Sequence, residues 1–363
     1  MIKDTKKKKV LVAMSGGVDS SLAAVLLKEM GYEVFGVTMN LFNSKTINLK
    51  EINDYSTNEK NIEIAKQVAY KLNIPWTVWD FSREFKEEVI KYFCSEYLIG
   101  KTPNPCVECN QKIKFELFLK NALSIGMDYI ATGHYALNEF NKQINQYTLK
   151  KAKDEKKDQS YFLYKLGQKI LSYVIFPLGE LSKEKVRELA GKYGLENYKK
   201  PESQEICFIP DNNYRKFLKR NISRTIIPGF FKDIKGNTLG EHQGIPFYTI
   251  GQRKKLGVSL NKRKYVIKID AKKNEVILGD NSDLYKSKFK VTNLKIISGK
   301  VFLFPMKVDI KIRYNCKSAQ ATLYDCGEGK ILVELKKPQR AITPGQAAVF
   351  YKNDSLLGGG VIE

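Results

Sequence analysis

The chain has 363 residues, with 62 lysines and arginines against 39 aspartates and glutamates, which gives a net charge of +23. This length supports two or three domains with hydrophobic cores, and no apolar run is long enough for a membrane span or a signal-peptide core. The positive charge favours a polyanionic partner, RNA or DNA rather than a membrane, although lysine bias from an AT-rich genome is an open alternative. Six cysteines without regular spacing are typical of a reducing compartment, so we expect a cytoplasmic protein.

The first predicted element is a short strand at 10–13 that enters the glycine turn S-G-G-V-D-S at 15–20, after which residues 22–30 have a helical pattern. The first-turn N–H groups and the dipole of such a helix form an anion site, and the glycines let a phosphate approach the backbone. Ser15, Ser20 and Ser21 add hydroxyl donors, and Asp19 suits a Mg²⁺ ion that escorts pyrophosphate. The turn lacks the Walker and Rossmann patterns and resembles the pyrophosphate loop (PP-loop) of ATP pyrophosphatases, which cleave ATP to AMP and pyrophosphate. A plain strand–turn–helix corner with serine caps is the alternative.

Residues 10–135 alternate between predicted strands and helices. The strands are at 33–39, 76–81 and 128–133, and the helices are at 58–72, around 85–93 and at 111–125. This alternation predicts a parallel sheet covered on both faces, with ligands beyond the carboxyl ends of its strands. The PP-loop, the Met39 region and Gly133-His134 all fall at that edge, so we expect them to share one pocket. Residues 42–57 are polar and patternless, and we interpret them as a mobile loop.

The second half of the chain has a different character. Residues 182–193 have the pattern of a capped helix that Gly194 ends. Beyond Ile209 basic and turn residues are frequent, and from about Tyr265 short alternating runs suggest an antiparallel barrel. We therefore expect an α/β fold: a parallel-sheet nucleotide-binding domain at 1–208, a small central domain at 209–280 and a C-terminal antiparallel β-barrel at 281–363.

Cysteines mark two further segments. The first is T-P-N-P-C-V-E-C-N at 102–110, a proline-pinned segment that we place just before a helix. A thiol at a helix N-terminus is stabilised as the reactive thiolate, which fits Cys109. The second segment is E-S-Q-E-I-C-F at 202–208, which contains Cys207. With no second C-x-x-C pair and only two histidines, a structural zinc site is poorly supported, and we expect no resident metal ion.

Several motifs occur in a fixed order along the chain. They are S-G-G-V-D-S, T-P-N-P-x-x-x-C-N, A-T-G-H-Y, K-D-Q-S-Y-F-L, I-C-F, G-Q-R-K-x-L-G, R-Y and T-P-G-Q-x-A-V-F-Y. Together they resemble the bacterial tRNA-specific 2-thiouridylase (MnmA) family, from near residue 10 to the glycines at 358–360. The family converts the wobble uridine of certain tRNAs to 2-thiouridine. The resemblance implies ATP and Mg²⁺ as cofactors, tRNA and a persulfide-donating sulfur carrier or cysteine desulfurase as partners, and no membrane; we expect a monomer.

The resemblance also implies roles for individual residues. ATP would be bound by Ala13, Met14, Ser15, Gly16, Gly17, Val18, Asp19 and Ser20, with Met39 and Gly133 beside the adenosine. Asn104, Pro105 and Cys106 would meet the target base, and His134 would lie close to the tRNA contact. The positions that match tRNA contacts are Lys157, Asp158, Gln159, Arg313, Tyr314 and Gln346. Cys109 matches the nucleophile, and Cys207 matches the cysteine that carries the persulfide.

The implied chemistry is consistent with these residue types. Transfer of AMP to the uridine 2-oxygen makes that oxygen expellable, a persulfide on Cys207 supplies sulfur, and Cys109 frees it and leaves a disulfide. One departure opens a second route, because a common form of the motif has an acid where this chain has Cys106. Cys106, Cys109 and Cys207 could instead hold a [4Fe–4S] cluster that binds sulfide. Two rival functions also stay open: an amide-forming ligase with the same loop, and a non-catalytic RNA-binding protein with a vestigial nucleotide site.

Overall fold

The structure is a computed structural model that describes residues 7–42, 55–199, 206–209, 211–259 and 262–363. Its first unit is built on a parallel sheet of five strands. In spatial order they are Trp76–Asp80, Glu33–Asn40, Lys9–Ala13, Tyr129–Ala131 and Val174–Ile175. The central strand, Lys9–Ala13, pairs with a parallel neighbour on each side. The α/β prediction for this part of the chain is confirmed.

Helices cover both faces of this sheet because its central strand is apolar on both sides. Val10 and Val12 face a core that includes residues of the helices Val18–Glu29, Tyr55–Lys71 and Lys183–Lys192. Leu11 and Ala13 face a second core with two long helical segments. The first of these comprises Ser82–Phe85, Lys86–Ile90 and Lys91–Leu98, and the second comprises Pro105–Glu108, Cys109–Leu117 and Phe118–Ser124. Burial on both faces explains the uninterrupted apolar run of this strand.

A β-hairpin between residues 135 and 152 was not predicted. Its strands are Leu137–Asn141 and Gln146–Lys150. The hairpin follows the parallel strand Tyr129–Ala131 in the chain but belongs to the sheet of the C-terminal unit, where Lys150 pairs with Ser355. The connection back to the last parallel strand contains the short helices Ser160–Leu163 and Gln168–Leu171, and Glu196–Lys199 is a further single turn.

The central unit has its own small sheet of four strands. In spatial order they are Tyr265–Asp270, Glu275–Gly279, Gly229–Lys232 and Thr238–His242, and the helices Tyr214–Asn221 and Ile245–Phe247 flank them. Phe231, Val266 and Val276 are fully buried beside one another in this part of the core. The alternating runs from Tyr265 onward suggested the barrel, but residues 265–279 form strands of this small sheet instead. Alternation identifies a strand but does not say which sheet the strand joins.

The C-terminal unit is a closed antiparallel barrel. Its strands, in spatial order, are Tyr285–Ile296, Ile331–Arg340, Ala319–Asp325, Met306–Lys311, Ala347–Lys352 and Ser355–Ile362. The last strand pairs with the first, where Val291 lies opposite Ile362, so the sheet closes. Ser282–Leu284 is a short turn that leads into the barrel. The predicted antiparallel barrel is confirmed.

Two segments interpreted from the sequence lie partly outside the residues that the structure describes. Of the predicted loop at 42–57, residues 43–54 lie outside them, and a helix begins at Tyr55, inside the predicted loop. Residues 202–205 of the second cysteine segment also lie outside. Within the described ranges, no helix combines the length and apolar character that crossing a bilayer requires.

Candidate active site

A pocket lies beyond the carboxyl ends of the central strands. It is lined by Ala13, Met14, Ser15, Asp19, Ser20, Met39, Leu41, Lys114, Thr132, Gly133, His134 and Gln159. The PP-loop, Met39 and Gly133-His134 therefore share one pocket, as the strand order led us to expect. We call it the PP-loop pocket.

Close packing requires glycine at position 16 of the PP-loop, whereas a Cβ on Gly17 would meet only the Ser15 hydroxyl, at 3.5 Å. Gly16 has a φ of +71°, and a Cβ there would lie 2.3 Å from the backbone oxygen of Asn61. Gly17 precedes the helix Val18–Glu29 without a side-chain cap, so the first-turn amides remain directed at the turn. Gly133 closes the pocket from the next strand, where a Cβ would lie 2.7 Å from the amide nitrogen of Ser20. Only glycine allows these backbones to approach so closely.

The serines of the PP-loop shape the turn itself. Ser20 and Ser21 donate their hydroxyls to the carbonyl oxygen of Gly17 at 3.1 and 3.0 Å, and both side chains are buried. The amide of Ser15 donates to the Ser20 hydroxyl oxygen at 3.1 Å. Ser20 and Ser21 are therefore not the donors to a ligand that the sequence suggested, because their protons are used within the loop. The exposed Ser15 hydroxyl remains at the pocket surface.

Asp19 is paired with a cation that the sequence analysis missed. The ammonium nitrogen of Lys183 lies 2.7 and 2.8 Å from the two carboxylate oxygens of Asp19. The hydroxyl of Tyr135 donates to the first of these oxygens at 2.6 Å. Lys183 is the first residue of the helix Lys183–Lys192, whose amphipathic pattern was predicted. A lysine at a helix start gives no sequence signal for such a contact, since it is usually exposed.

His134 forms the opposite wall of the PP-loop pocket. Its Nδ1 lies 2.8 Å from the hydroxyl of Thr132, and its ring contacts Phe115 and Phe176. Burial, together with the positive charge of Lys114, lowers the pKa of His134 well below 6.5. The imidazole is therefore neutral near pH 7, where it can exchange hydrogen bonds with a ligand without adding charge.

The helix that carries Cys106 and Cys109 begins earlier than predicted. It starts at Pro105, with Asn104 as the residue before it, so Cys109 is in the second turn. The dipole acts mainly on the first turn. Burial raises the pKa of Cys109 to about 11, and the charge of Lys114 offsets this only in part. The expected stabilisation of the Cys109 thiolate by a helix N-terminus is therefore wrong for this geometry.

The three candidate thiols lie in one region. Burial raises the pKa of Cys207, and the charges of Cys109 and Cys106 raise it further, so the three groups are within electrostatic reach of one another. The Cys207 side chain is exposed, whereas that of Cys106 is half-buried and that of Cys109 is buried. In the described part of the chain, no three cysteine, histidine or carboxylate side chains are grouped as a metal ion requires. The arrangement does not favour the [4Fe–4S] alternative.

Lys114 connects this thiol region with the PP-loop pocket. It lines the pocket, and its charge lowers the pKa values of Cys106, Cys109 and Cys207. The segment Cys109–Leu117 is a π-helix, whose i→i+5 hydrogen bonds bring residues five apart onto one side. Lys114 follows Cys109 by five residues, so an α-helical interpretation of the sequence separates two groups that the π-helix brings together.

An ion pair between Glu108 and Lys165 fixes the same helix. The two side chains are only 13% and 11% exposed, and the ammonium donates to the carboxylate. Glu108 lies directly before Cys109, and Lys165 follows the K-D-Q-S-Y-F-L motif. The pair therefore ties the cysteine segment to the segment after 157–163.

The barrel contacts the T-P-N-P segment through its T-P-G-Q turn. Gln346 donates its side-chain amide to the carbonyl oxygens of Thr102 and Pro103, at 2.8 and 3.3 Å. In return, the amide of Thr102 donates to the carbonyl oxygen of Pro344 at 2.9 Å. A Cβ on Gly345 would lie 2.9 Å from the Thr102 nitrogen, so this turn needs its glycine. Two motifs about 240 residues apart are thus in backbone contact.

Arg313 and Tyr314 lie on the same side of the barrel. The guanidinium of Arg313 donates to the carbonyl oxygen of Ala341 and to the hydroxyl of Thr343, and burial lowers its pKa. The ring of Tyr314 packs on Phe162 with 4.4 Å between centroids. Arg313 thus supports the T-P-G-Q turn from within the barrel, and its predicted contact with tRNA stays a prediction.

The K-D-Q segment is held by its own hydrogen bonds. Asp158 is only 2% exposed, and its carboxylate accepts from the amides of Ala152 and Ser160 at 3.2 and 3.1 Å. Gln159 accepts from the amide of Tyr135 at 3.0 Å and lines the PP-loop pocket. The amide of Lys157 donates to the carbonyl of Asp154 at 3.0 Å. Asp158 shapes the segment from inside, and the tRNA contacts predicted for 157–159 stay predictions.

Comparisons with known proteins cover nearly the whole chain. Family models match residues 8–211 (tRNA methyl transferase HUP domain), 215–280 (tRNA methyl transferase PRC-barrel domain) and 286–362 (aminomethyltransferase beta-barrel domain). The chain is 50% identical to the tRNA-specific 2-thiouridylase MnmA of Carboxydothermus hydrogenoformans, with 98% of each chain covered. It is 47% identical to the tRNA-specific 2-thiouridylase MnmA of Acetivibrio thermocellus, over 98% of this chain and 99% of the relative. Among solved structures, a 4-thiouridine synthetase–RNA complex with bound ATP matches 59% of this chain and 50% of its own, at 16% identity and a TM-score of 0.34.

Proposed function

The chain belongs to the tRNA-specific 2-thiouridylase family, and from that membership we propose that it is an ATP-dependent tRNA sulfurtransferase that makes 2-thiouridine. The observation that supports this best is that the PP-loop pocket and the three thiols share Lys114. Activation by a nucleotide and sulfur transfer from a cysteine must both act on one base, so their two sites must adjoin.

In the first step we propose that the uridine 2-oxygen attacks the α-phosphorus of ATP. Pyrophosphate leaves toward the first-turn amides of Val18–Glu29, which with the helix dipole provide an anion site. Met39 and Gly133 would lie beside the adenosine. The neutral His134 would hydrogen-bond to a ligand in the pocket without repelling the ammonium of Lys114. Asn104, Pro105 and Cys106 would meet the base, which must leave the anticodon stack at a cost of a few kcal/mol.

In the second step a persulfide on Cys207 supplies the sulfur. Cys109 attacks the Sγ atom of Cys207, the S–S bond breaks, and the terminal sulfur bonds to carbon 2 of the activated uracil. AMP leaves with the electrons of the carbon–oxygen bond. The enzyme is left with a Cys109–Cys207 disulfide. Two electrons from a thiol reductant must reduce it to restore the two thiols. A persulfide-donating carrier or desulfurase would then reload Cys207.

The finer assignments are parts of this proposal. Mg²⁺ would arrive as the chelate of ATP, because both oxygens of Asp19 already accept from Lys183. The net charge of +23 supports tRNA as the partner, with an affinity that falls with salt. We propose a monomer that acts in the cytoplasm, with domains at 1–208, 209–280 and 281–363.

The test is reconstitution with the aerobically purified, iron-free protein. It is given ATP, Mg²⁺, a persulfide donor and unmodified glutamate tRNA, and the digested RNA is analysed by mass spectrometry while AMP is counted. We expect about one 2-thiouridine per AMP, the stoichiometry of a single activation. AMP without 2-thiouridine would contradict the persulfide step and would lead to cluster reconstitution. Neither product, with tRNA still bound, would contradict the enzyme assignment.

A further inference from the structure

Asp19 lies where an anionic ligand is expected. It is the second residue of the helix Val18–Glu29 and lines the PP-loop pocket together with Ser15 and Ser20. A carboxylate in the first turn is favoured by the helix dipole, but it has the same charge sign as pyrophosphate. Unless another group neutralises it, this carboxylate opposes the ligand that the loop is built to hold.

Lys183 is placed to neutralise it. Its side chain is 10% exposed, and its ammonium lies within 2.8 Å of both carboxylate oxygens while also lying 5.7 Å from the ring centre of Tyr135. Tyr135 in turn donates its hydroxyl to Asp19. The carboxylate is therefore held by two donors that come from different parts of the chain.

The backbone of Lys183 is fixed as well. Its amide donates to a carboxylate oxygen of Asp154 at 3.0 Å, and the hydroxyl of Ser182 accepts from the amide of Lys185 at 3.2 Å. The start of the helix Lys183–Lys192 thus has two side-chain acceptors for its free amides. A long, flexible lysine side chain is held at both ends, which reduces the entropy cost of its ion pair.

This arrangement crowds the same oxygens for a divalent cation, because one accepts from Lys183 and Tyr135 and the other accepts from Lys183. Mg²⁺ binds carboxylates at about 2.0–2.1 Å and demands octahedral geometry. A metal there would lie beside the ammonium of Lys183, which is 2.7 and 2.8 Å from the same two atoms. While the ion pair of Lys183 and Asp19 is intact, Mg²⁺ must reach the pocket through the phosphates of the nucleotide.

We infer that Lys183 is the resident cation of the PP-loop: it cancels the charge of Asp19 and positions its carboxylate, so that the loop accepts pyrophosphate. This inference rests on the proposed function for the identity of the ligand. Lys183 is a positioning residue in this scheme, because it acts through Asp19. It also assigns Asp19 a partner within the chain in place of the metal ion that the sequence suggested.

The first test measures pyrophosphate binding to the full-length protein by calorimetry in EDTA, without tRNA. Lys183→Met leaves Asp19 unpaired, and we expect an affinity at least 10-fold lower. The double variant Asp19→Asn with Lys183→Met removes both charges and should bind within about 3-fold of the unsubstituted protein, as coupled sites require. Lys183→Arg should also stay within about 3-fold. The control is Lys185→Met, on the same helix, whose exposed ammonium pairs with Glu188.

A second readout follows Mn²⁺ by electron paramagnetic resonance in the absence of nucleotide. Lys183→Met frees the carboxylate, so we expect Mn²⁺ to bind at least 10-fold more tightly than to the unsubstituted protein. Adding Asp19→Asn should abolish that gain. A purely structural role of Lys183 predicts weaker binding of every ligand and no gain in metal affinity.

Three results would overturn the inference. They are unchanged pyrophosphate affinity in Lys183→Met, a double variant no better than Lys183→Met, and a tight Mn²⁺ site in the unsubstituted protein that Asp19→Asn removes. If Lys183→Met does not fold, Lys183→Gln replaces it in every comparison, alone and combined with Asp19→Asn. None of these measurements contains tRNA, so they remain informative if the thiolation assay fails.

Discussion

The side-chain nitrogen of Gln346, in the barrel, lies 2.8 Å from the backbone oxygen of Thr102, in the segment that leads to Cys106 and Cys109. The contact is reciprocal, since the amide of Thr102 donates to Pro344 in the same turn. The C-terminal barrel is therefore part of the framework that positions the thiols. The tRNA contact that the sequence predicts for Gln346 does not by itself require the barrel to bind the segment that carries the cysteines.

Gln346→Ala should loosen the T-P-N-P segment without affecting the PP-loop pocket. It removes two hydrogen bonds, each of which typically contributes about 1 kcal/mol. We expect 2-thiouridine formation to fall roughly 10-fold, with unchanged ATP affinity, and amide exchange over residues 102–110 to accelerate. Gln320→Ala, an exposed amide on the barrel strand Ala319–Asp325, is the control. Unchanged exchange in Gln346→Ala would show that the barrel contact does not hold the segment.

The ion pair of Glu108 and Lys165 should be strongly coupled in stability. Removing one partner leaves an unpaired buried charge, which costs about 3–5 kcal/mol of unfolding free energy in comparable cases. Urea denaturation of Glu108→Leu, Lys165→Met and the double variant measures the effect. We expect the double variant to be more stable than either single one. Glu87→Gln, which breaks an exposed pair with Lys91, serves as the control and should change nothing measurable. Additive losses would contradict a coupled pair.

Lys114→Met should make Cys109 less reactive. The ammonium favours the thiolate, so its loss raises the pKa of Cys109 above the value of about 11 that burial produces. Alkylation by iodoacetamide, followed by mass spectrometry across pH 7–10, should be several-fold slower at each pH. Lys112→Met is matched to it, because that lysine pairs with Glu116 on the same helix. Equal alkylation rates in the two variants would show that the charge of Lys114 does not affect the reactivity of Cys109.

Histidine titration should reduce stability on the acid side of neutrality. The folded pKa of His134 is well below 6.5, so just below pH 6.5 the unfolded chain binds a proton that the folded chain does not. The unfolding free energy then falls as pH decreases, by at most about 1.4 kcal/mol per pH unit for one group. His242, whose pKa burial also lowers, adds a second contribution. His134→Gln should reduce the slope between pH 5.5 and 6.5, and an unchanged slope would mean that the folded and unfolded chains bind the His134 proton equally.

Cys109→Ser and Cys207→Ser should each abolish 2-thiouridine formation while tRNA binding survives. The nucleophile and the persulfide carrier have separate roles, and neither hydroxyl can carry sulfur. Mass spectrometry of the RNA and a filter-binding assay measure the two properties. Cys326→Ser, at an exposed site in the barrel, is the control. A variant at 109 or 207 that kept most of its activity would contradict the two-thiol mechanism.

Much of this architecture could be predicted because local patterns determine it. The apolar run at 10–13 and the glycines at 16 and 17 indicated a buried strand and a phosphate turn, and the edge of the sheet then brought Met39 and His134 to the same pocket. Two features depended on long-range contacts. The pairing of Asp19 with Lys183 joins residues 164 positions apart, and the strands at 265–279 joined a sheet that alternation cannot identify. The π-helix at Cys109–Leu117 also had no sequence signal, since its residues suit an α-helix equally well.

The hairpin Leu137–Asn141/Gln146–Lys150 has a consequence for synthesis. Its outer partner, the strand Ser355–Ile362, is made about 200 residues later, which at about 5–20 residues per second is roughly 10–40 s. During that time the hairpin presents a free edge on the ribosome, and the last strand of the parallel sheet, Val174–Ile175, is synthesised soon after it. A truncated chain that stops before Ser355 should therefore leave this edge exposed to pairing with other chains, and the final strand closes both the barrel and that edge.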